Sequence, residues 1–519
     1  MTSRSASLHS LAPERPWGRI SVNVKVGKDI LELLSTGMYV DPMSIYREYV
    51  QNAADAIDDA RGGGILAADE RGRIQFDIDT ESRNVRIRDN GIGVPSAQFV
   101  ERLTAVGASH KRGRNARGFR GVGRLAGIGY CQELLFRSRA AGETSVSEIR
   151  WDCRALKHVL RSEDGHKYLS DTILEAVTAR QLSPAGFPDR FFEVELRSIV
   201  RHKNDQLLNP TAINAYLAQV APVPFAPDFS YGPTITRALQ PWIKLGEIEI
   251  TLPGMTSPVY RPHRDHIEIG GGKRDSFSKL EIINIPGMNG DTAALGWVLH
   301  HGYTGALPGH TLQRGLRLRV GNLQIGNERI LDDLFTETRF NSWSVGEIHI
   351  IEGRVLPNGR RDNFEQNAHL LNVLSHLAPV ARELSKRCRD SSIRRNRWRE
   401  FLRQIDGARE RLGIIKQGAL SKSEQVRLLR EVHAAIAEAE RLMAHEFFAA
   451  PQDVSPQKEL QRLKRDVLKA SGEDYSESPL AHLTRTHRQA YQKVFSLIYE
   501  CAPNRSVAKA IIDRVMARL

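Results

Sequence analysis

The sequence predicts a multidomain α/β protein that ends in a helical region, and three patterns predict it. Two alternating strand segments flank residue 80, further alternating runs lie between residues 243 and 367, and helical periodicity takes over from residue 368 to residue 519. A chain of 519 residues can bury about three or four cores.

Composition narrows the class. Hydrophobic residues make up 41% and charged residues 26%, a globular balance rather than a disordered one. Cys131, Cys153, Cys388 and Cys501 form no CxxC pair, which argues against a disulfide framework and a cysteine-based zinc site. The amino terminus lacks the apolar core of a secretory signal and no run of about 18 apolar residues occurs, so a cytoplasmic protein without membrane contact is expected. The formal net charge of +13 favours phosphate-rich or acidic partners and keeps nucleic acid among them.

Residues 1–27 read as an extension. From Lys28 to about Phe136 the order is helix, helix, strand hairpin, glycine-punctuated loop, helix. In the hairpin, "RIQFDID" turns Ile74, Phe76 and Ile78 inward, "TESRN" makes the turn, and "VRIRD" returns with Val85 and Ile87 inward. "RFFEVELRSI" closes this first domain as a strand near residue 200, and the proline-rich stretch 201–242 reads as a connector. A second α/β domain spans 243–367, with "GLRLRVGNLQIGN" and "VGEIHIIEGRVLP" as strands around a helix. In the region 368–519, Val426, Leu429, Val432, Ala435, Ile436, Ala439, Leu442 and Met443 recur at helical spacing, as do Val507, Ile511, Ile512, Val515 and Leu519. These stripes pack on each other or on a second subunit.

Chemistry concentrates in three segments of the first domain. In "REYVQNAADAIDDA" a helix places Glu48, Asn52 and Asp55 within about 60° of one another, beside an apolar stripe of Ile45, Tyr49, Ala53, Ala56 and Ala60. Alone, that spacing describes a solvated helix edge. Asp89 ends the strand "VRIRD" and is followed by "NGIGVP", where Gly91 and Gly93 remove side chains beside a carboxylate and admit a flat ligand to the backbone. In "RGFRGVGRLAGIGY", Gly118, Gly121 and Gly123 lead into a helix and offer backbone amides to an anion such as a polyphosphate. The third segment is no Walker loop, because "GRLA" stands where GK[ST] is required.

The order of the three, "EYVQNAADA", "RDNGIGVP" and "GFRGVGRLAG", resembles the GHKL superfamily of ATPases, which includes gyrase, heat-shock protein 90, histidine kinases and MutL. The resemblance implies the GHKL (Bergerat) α/β sandwich over residues 28–200, binding ATP with Mg²⁺. It implies that Asn52 holds Mg²⁺ through its side-chain oxygen, that Asp89 accepts a hydrogen bond from the adenine amino group, and that Glu48 is the general base for the attacking water. A hard cation takes oxygen ligands, and a carboxylate one helical turn away can reach a water beside it. Asp55, Gly91, Gly93, Gly118, Gly121, Val122 and Gly123 complete the expected nucleotide-binding set. Between the second and third segments, "GASHKRGRNARGFR" carries Lys111, Arg112, Arg114, Arg117 and Arg120, and the resemblance makes it a lid that closes over the nucleotide.

The second domain resembles the middle domain of heat-shock protein 90, and the position matching its γ-phosphate arginine is Arg361 in "LPNGRRDNFEQN", with Arg360 as competitor because the spacing from Pro357 is one residue short. A guanidinium donated from a second domain would couple hydrolysis to domain closure. A threonine usual in the family is missing from "RFFEVELRSI", where Phe192 or Glu193 stands instead. The tail carries the basic run "KRCRDSSIRRNRWREFLR", with Lys386, Arg387, Arg389, Arg394, Arg395, Arg397, Arg399 and Arg403 around Trp398, suited to a phosphate backbone or an acidic partner. The resemblance thus implies a chaperone-like ATPase acting on a protein client, expected as a homodimer. The alternative is a nucleic-acid clamp of the MORC kind.

Overall fold

Asp41 and Pro42 start the first described helix. The Asp41 side chain accepts the Met43 amide at 3.0 Å, its carbonyl accepts the Ser44 amide, and the proline fixes the approach. Helix α1 (Ser44–Gly62) runs until Gly63 and Gly64, the latter at φ +68°, turn the chain away. This computed structural model describes residues 41–519 except 68, 108–122, 162–167, 202, 244, 246–247, 270–272, 452–453 and 473–479. The first expected helix, the extension 1–27 and the expected lid therefore lie outside the described residues.

Strands β1 (Gly72–Asp79) and β2 (Asn84–Asp89) form the expected hairpin, with Ile74 opposite Asp89, Phe76 opposite Ile87 and Ile78 opposite Val85. Their inward residues share a core with Ile45, Tyr49, Ala53 and Ile57 of α1. After α2 (Ser96–Thr104) the sheet grows through β3 (Glu133–Arg139) and β4 (Val146–Asp152). Helices α3 (Cys153–Arg161) and α4 (Leu169–Ala176) precede β5 (Val177–Leu182) and β6 (Phe191–Arg197). The strand order is β5-β4-β3-β6-β2-β1-β7, where the edge strand β7 (Ile248–Thr251) runs parallel to β1 and the other pairs are antiparallel.

The stretch 201–242 carries two helices. Pro210 occupies the first turn of α5 (Pro210–Val220), where a missing amide costs no hydrogen bond, and Asn209 caps it by accepting the Thr211 and Ala212 amides. Ile213 and Leu217 enter the core around α1. Pro233 occupies the first turn of α6 (Gly232–Leu239) in the same way. The chain divides into two compact units, the first taking residues to Pro224 with Lys244–Arg261 and Gly321–Leu323, and the second the remainder.

The second unit holds the ribbon β8 (His266–Ile269) and β9 (Lys273–Ser276). A five-stranded sheet follows in the order β10-β11-β14-β12-β13. Its strands are β10 (Lys279–Pro286), β11 (Thr292–His300), β12 (Gly315–Val320), β13 (Leu323–Ile325) and β14 (Val345–Ile350). The helix expected among these strands is replaced by two short 3-10 turns, Asp332–Leu334 and Thr338–Trp343. One face of the sheet, with Ile283, Ile285, Leu318 and Ile348, packs on Leu370, Val373, Leu377 and Leu384 of α7 (Ala368–Lys416).

Helix α7 continues past Pro379 and changes partner. Its later residues Phe401, Ile405 and Leu412 join Val432 and Ile436 of α8 (Lys422–Met443) and Leu463 and Val467 of α9 (Pro456–Gly472) in a separate core. Ser421 and Glu424 form a capping box that fixes the start of α8. Helices α10 (Arg485–Cys501) and α11 (Arg505–Met516) close a smaller cluster around Phe495 and Ile512. The stripe on α8 is buried from Val432 to Leu442 as the spacing predicts, while Val426, Val507, Ile511 and Leu519 are exposed. Among the described residues no helix is long and apolar enough to cross a membrane.

Candidate functional site

Two tyrosine hydroxyls set the rotation of α1. Tyr46 donates to the Leu207 carbonyl and lies edge-on to Phe76 with ring centroids 5.6 Å apart, while the Tyr49 hydroxyl accepts the Gly127 amide at 2.9 Å. Burial raises the Tyr46 phenol far above its ordinary range, so it stays a donor at any physiological pH. With the helix held this way, Glu48 and Asp55 are buried at 5% and 4% exposure, and Asn52 between them is half-buried. Arg47 Nε lies 3.8 Å from Glu48 Oε1.

Asp89 ends β2 on the sheet face that packs against α1, buried at 5% exposure. Its Oδ1 accepts the Gly91 amide at 2.8 Å. Neighbouring Asn90 points elsewhere: its oxygen accepts the Arg73 amide at 2.7 Å and its nitrogen donates to the Arg71 carbonyl at 3.0 Å. Beyond it, the Ile92 amide donates to the Ala56 carbonyl at 3.0 Å and the Val94 amide to Ser138 Oγ at 2.7 Å. The glycines permit this close packing. A Cβ on Gly91 would come within 2.7 Å of the Ala56 Cβ, and one on Gly93, at φ +71°, within 2.5 Å of the Arg139 carbonyl oxygen. The backbone approach that these glycines allow is thus filled by α1 and the end of β3.

The third segment meets α1 at its other end. Residues Gly123–Gly129 form a 3-10 helix instead of an α-helix, as three glycines in seven residues disfavour a regular one. A Cβ on Gly123 would collide with Glu48 Oε2, and one on Gly127 with the Tyr49 hydroxyl. Along α1 the contacts run from Glu48 to Ala56, a span of about 12 Å. The segments predicted from sequence are therefore lined along one helix, Gly123 beside Glu48 and the Asp89 turn beside Ala56. Gly118, Gly121 and Val122, with Lys111, Arg112, Arg114, Arg117 and Arg120, lie outside the described residues.

The sheet separates Phe192 from Glu193. Phe192 stands opposite Asp89, so its side chain shares the α1 face, whereas Glu193 bonds Arg88 and Arg137 on the reverse face. There Arg137 contacts Glu148 at 2.5 Å, Glu193 at 2.6 Å and Glu195 at 2.7 Å. Burial alone would lower its pKa, but the three carboxylates outweigh that and raise it above the arginine range.

Arg360 and Arg361 belong to the second unit. They lie in a turn closed by the Pro357–Phe364 bridge and by the Asn358 amide on the Asn363 carbonyl at 2.9 Å. Arg361 takes the left-handed conformation at φ +56°, donates its amide to the Asn358 carbonyl and accepts the Gly326 amide at 2.9 Å. On α7 much of the basic run is engaged. Arg387 pairs with Glu383, Arg389 with Glu337 and Arg403 with Glu400, Arg397 bonds His445, and Arg395 lies over Trp343. Trp398 stacks on Phe401, so it packs inside the bundle.

Sequence reasoning missed Tyr46, Gly127, Ser138 and the α1-facing half of the proline-rich stretch. Each acts through a long-range contact that leaves no local pattern. The one signal available was two tyrosines at i and i+3 beside the polar edge, which a helix can use to fix its own rotation.

Residues 43–170 match the family model described as "Histidine kinase-, DNA gyrase B-, and HSP90-like ATPase". The chain is also similar to the chaperone protein HtpG of Rickettsia prowazekii (strain Madrid E), 26% identical over 205 residues, which are 36% of this chain and 32% of the relative. HtpG of Acinetobacter baylyi (strain ATCC 33305 / BD413 / ADP1) is 27% identical over 139 residues, 24% of this chain and 22% of its own. The chain thus spans about a third or less of the length of these curated relatives. The amino-terminal region carries a GHKL-type ATPase domain, and the architecture is α/β, then α/β, then helical.

Proposed function

We propose that this chain is an ATP-binding and ATP-hydrolysing conformational machine resembling the heat-shock protein 90 chaperone and acting on a protein client. One observation carries the reading: the Gly123 segment and the Asp89 turn both pack on α1, the first at Glu48 and the second at Ala56, so the polar edge of Glu48, Asn52 and Asp55 runs between them. In this reading the Asp89 carboxylate accepts the adenine amino group, Asn52 offers its side-chain oxygen to Mg²⁺, and Glu48 orients and deprotonates the attacking water. The donor set fits such a cation. Asn52 supplies a neutral oxygen, and no cluster of three or more His, Cys, Asp or Glu side chains among the described residues could hold a metal alone. A magnesium ion here would take its other ligands from phosphate and water, its ordinary preference. When bound, it neutralises charge on the phosphates.

Purified protein should turn over ATP in a Mg²⁺-dependent manner. Chelation of Mg²⁺ and the Asn52→Ala variant should each abolish turnover; equal rates in all three conditions would refute the site. Closure of the basic segment 107–120 belongs to the same reading, and ATP should slow tryptic cleavage there. Arg361→Ala should slow turnover, and Arg360→Ala should not. A homodimer is proposed through the helical region, where Val507 and Ile511 are exposed one turn apart on α11; light scattering at micromolar protein would read a single-chain mass if this is wrong.

The nucleic-acid clamp draws on Arg382, Lys386, Arg394 and Arg399, which are exposed along α7. If it is right, duplex affinity falls steeply from low to physiological salt. The ion pairs that neutralise Arg387, Arg389 and Arg403 support the chaperone reading over it.

A further inference from the structure

We infer that Arg124 is a phosphate ligand of this site, gripping the anionic end of the nucleotide from a position that the three motifs leave unassigned. The inference rests on the ATP-binding reading and adds a residue to it. Arg124 directly follows Gly123, whose α-carbon stands so close to the Glu48 carboxylate that a side chain there would collide with it. The backbone around it is fixed from both sides, by that contact and by the Gly127 amide on the Tyr49 hydroxyl at 2.9 Å, and Leu125, Ala126 and Ile128 are buried. The backbone that carries Arg124 is thereby held next to Glu48.

Its head group leaves two buried nitrogens unbonded, where Arg86 and Arg190 each leave one. The Arg124 Nε and Nη2 atoms are buried and have no hydrogen-bond partner. Arg137, by contrast, meets three carboxylates within 2.7 Å, and Arg88 meets Glu193 at 2.6 Å. Burial alone brings the Arg124 pKa down to about 10, with no carboxylate raising it, so the group is still a cation at neutral pH. A buried cation with unmade hydrogen bonds carries its full desolvation penalty, and an arriving anion removes it. The planar donor fork matches phosphate oxygens two at a time.

Glu48 is not the missing partner. It lies beside Arg47, and neither buried Arg124 nitrogen bonds it. A second polar group at the same helix edge is also unbonded. Gln51, one turn after Glu48, is 1% exposed with neither amide atom bonded. Two unsatisfied polar side chains within one turn of Glu48 and one residue of Gly123 mark that end of α1 as the phosphate end, opposite the Asp89 turn.

The test is calorimetric titration of the full chain with Mg-ATP, Mg-ADP and adenosine, for wild type, Arg124→Met and Arg124→Lys. Arg124→Met should weaken ATP and ADP on the order of tenfold or more while leaving adenosine unchanged, and Arg124→Lys should recover part of the loss. ATP affinity within twofold of wild type in Arg124→Met overturns the inference while the ATP reading stands. Equal losses for adenosine and ATP also overturn it, because they assign Arg124 a purely structural role. A wild-type chain that binds none of the three ligands sinks the ATP reading itself, and this inference with it.

Discussion

The two faces of the seven-stranded sheet handle charge in opposite ways. On the reverse face, Arg137 is enclosed by Glu148, Glu193 and Glu195, and Arg180 and Arg197 add further pairs within the sheet. On the α1 face, Glu48, Asp55 and Asp89 are as deeply buried, yet they line a helix edge and a strand end beside glycines, with Arg124 and Gln51 unsatisfied close by. Compensated burial holds a fold together, whereas the unbonded polar atoms of Arg124 and Gln51 suit a ligand.

Substitutions can break this contrast from either side. The largest effect is expected on the α1 face, where Glu48→Gln should lower ATP turnover by about 100- to 10,000-fold with nucleotide affinity retained. Steady-state rates beside calorimetry check it, and a joint loss of binding and rate would make Glu48 a structural residue. On the reverse face Arg137→Ala should cost about 3–5 kcal/mol of stability by leaving buried carboxylates unmatched. Urea unfolding reads that loss, and the folded fraction should retain its affinity for ATP.

Gly123→Ala comes next. Its methyl group would displace the Glu48 carboxylate, and displacement of a catalytic group by about 1 Å can cost up to about 100-fold in rate. Unfolding midpoints near wild type alongside slow turnover would separate this from a folding defect.

The smallest effect is a pH dependence. Burial raises the pKa of Glu148, but Arg137 and Arg180 outweigh it; burial likewise raises that of Glu195, and Arg197 and Arg137 outweigh it, so both end below the usual carboxylate range. Groups depressed on folding stabilise the protein above their unfolded value of about 4.3, and that contribution is lost as pH falls through the folded value. Stability should therefore drop between neutral and acid pH, and Arg137→Ala should flatten that drop.

How much of this was legible beforehand follows the range of the forces involved. The hairpin faces, the Glu48–Asn52–Asp55 edge and the order of the three segments are local patterns of period 2 and period 3.6, and they were readable. Whether Phe192 or Glu193 faces the site needed the pairing of β6 with β2, because a single residue of register exchanges the two faces. Prolines 210 and 233 read as breakers until their place in the first turn of a helix is known. The apolar spacing of α7 announces a buried face, but not that its first half packs on a sheet and its second half on helices. The Arg137 cluster joins residues more than fifty positions apart and has no sequence signature.

Asp89 is proposed to read an adenine beside this helix. Competitive equilibrium binding of ATP and GTP to wild type and Asp89→Asn tests it most directly, since Asp89 can accept the amino group of adenine but meets a carbonyl oxygen on guanine. The account predicts that wild type prefers ATP by tenfold or more, on the order expected for a charged hydrogen bond, and that Asp89→Asn loses this preference. Equal affinities for the two nucleotides in wild type, or an undiminished preference in the variant, would contradict it.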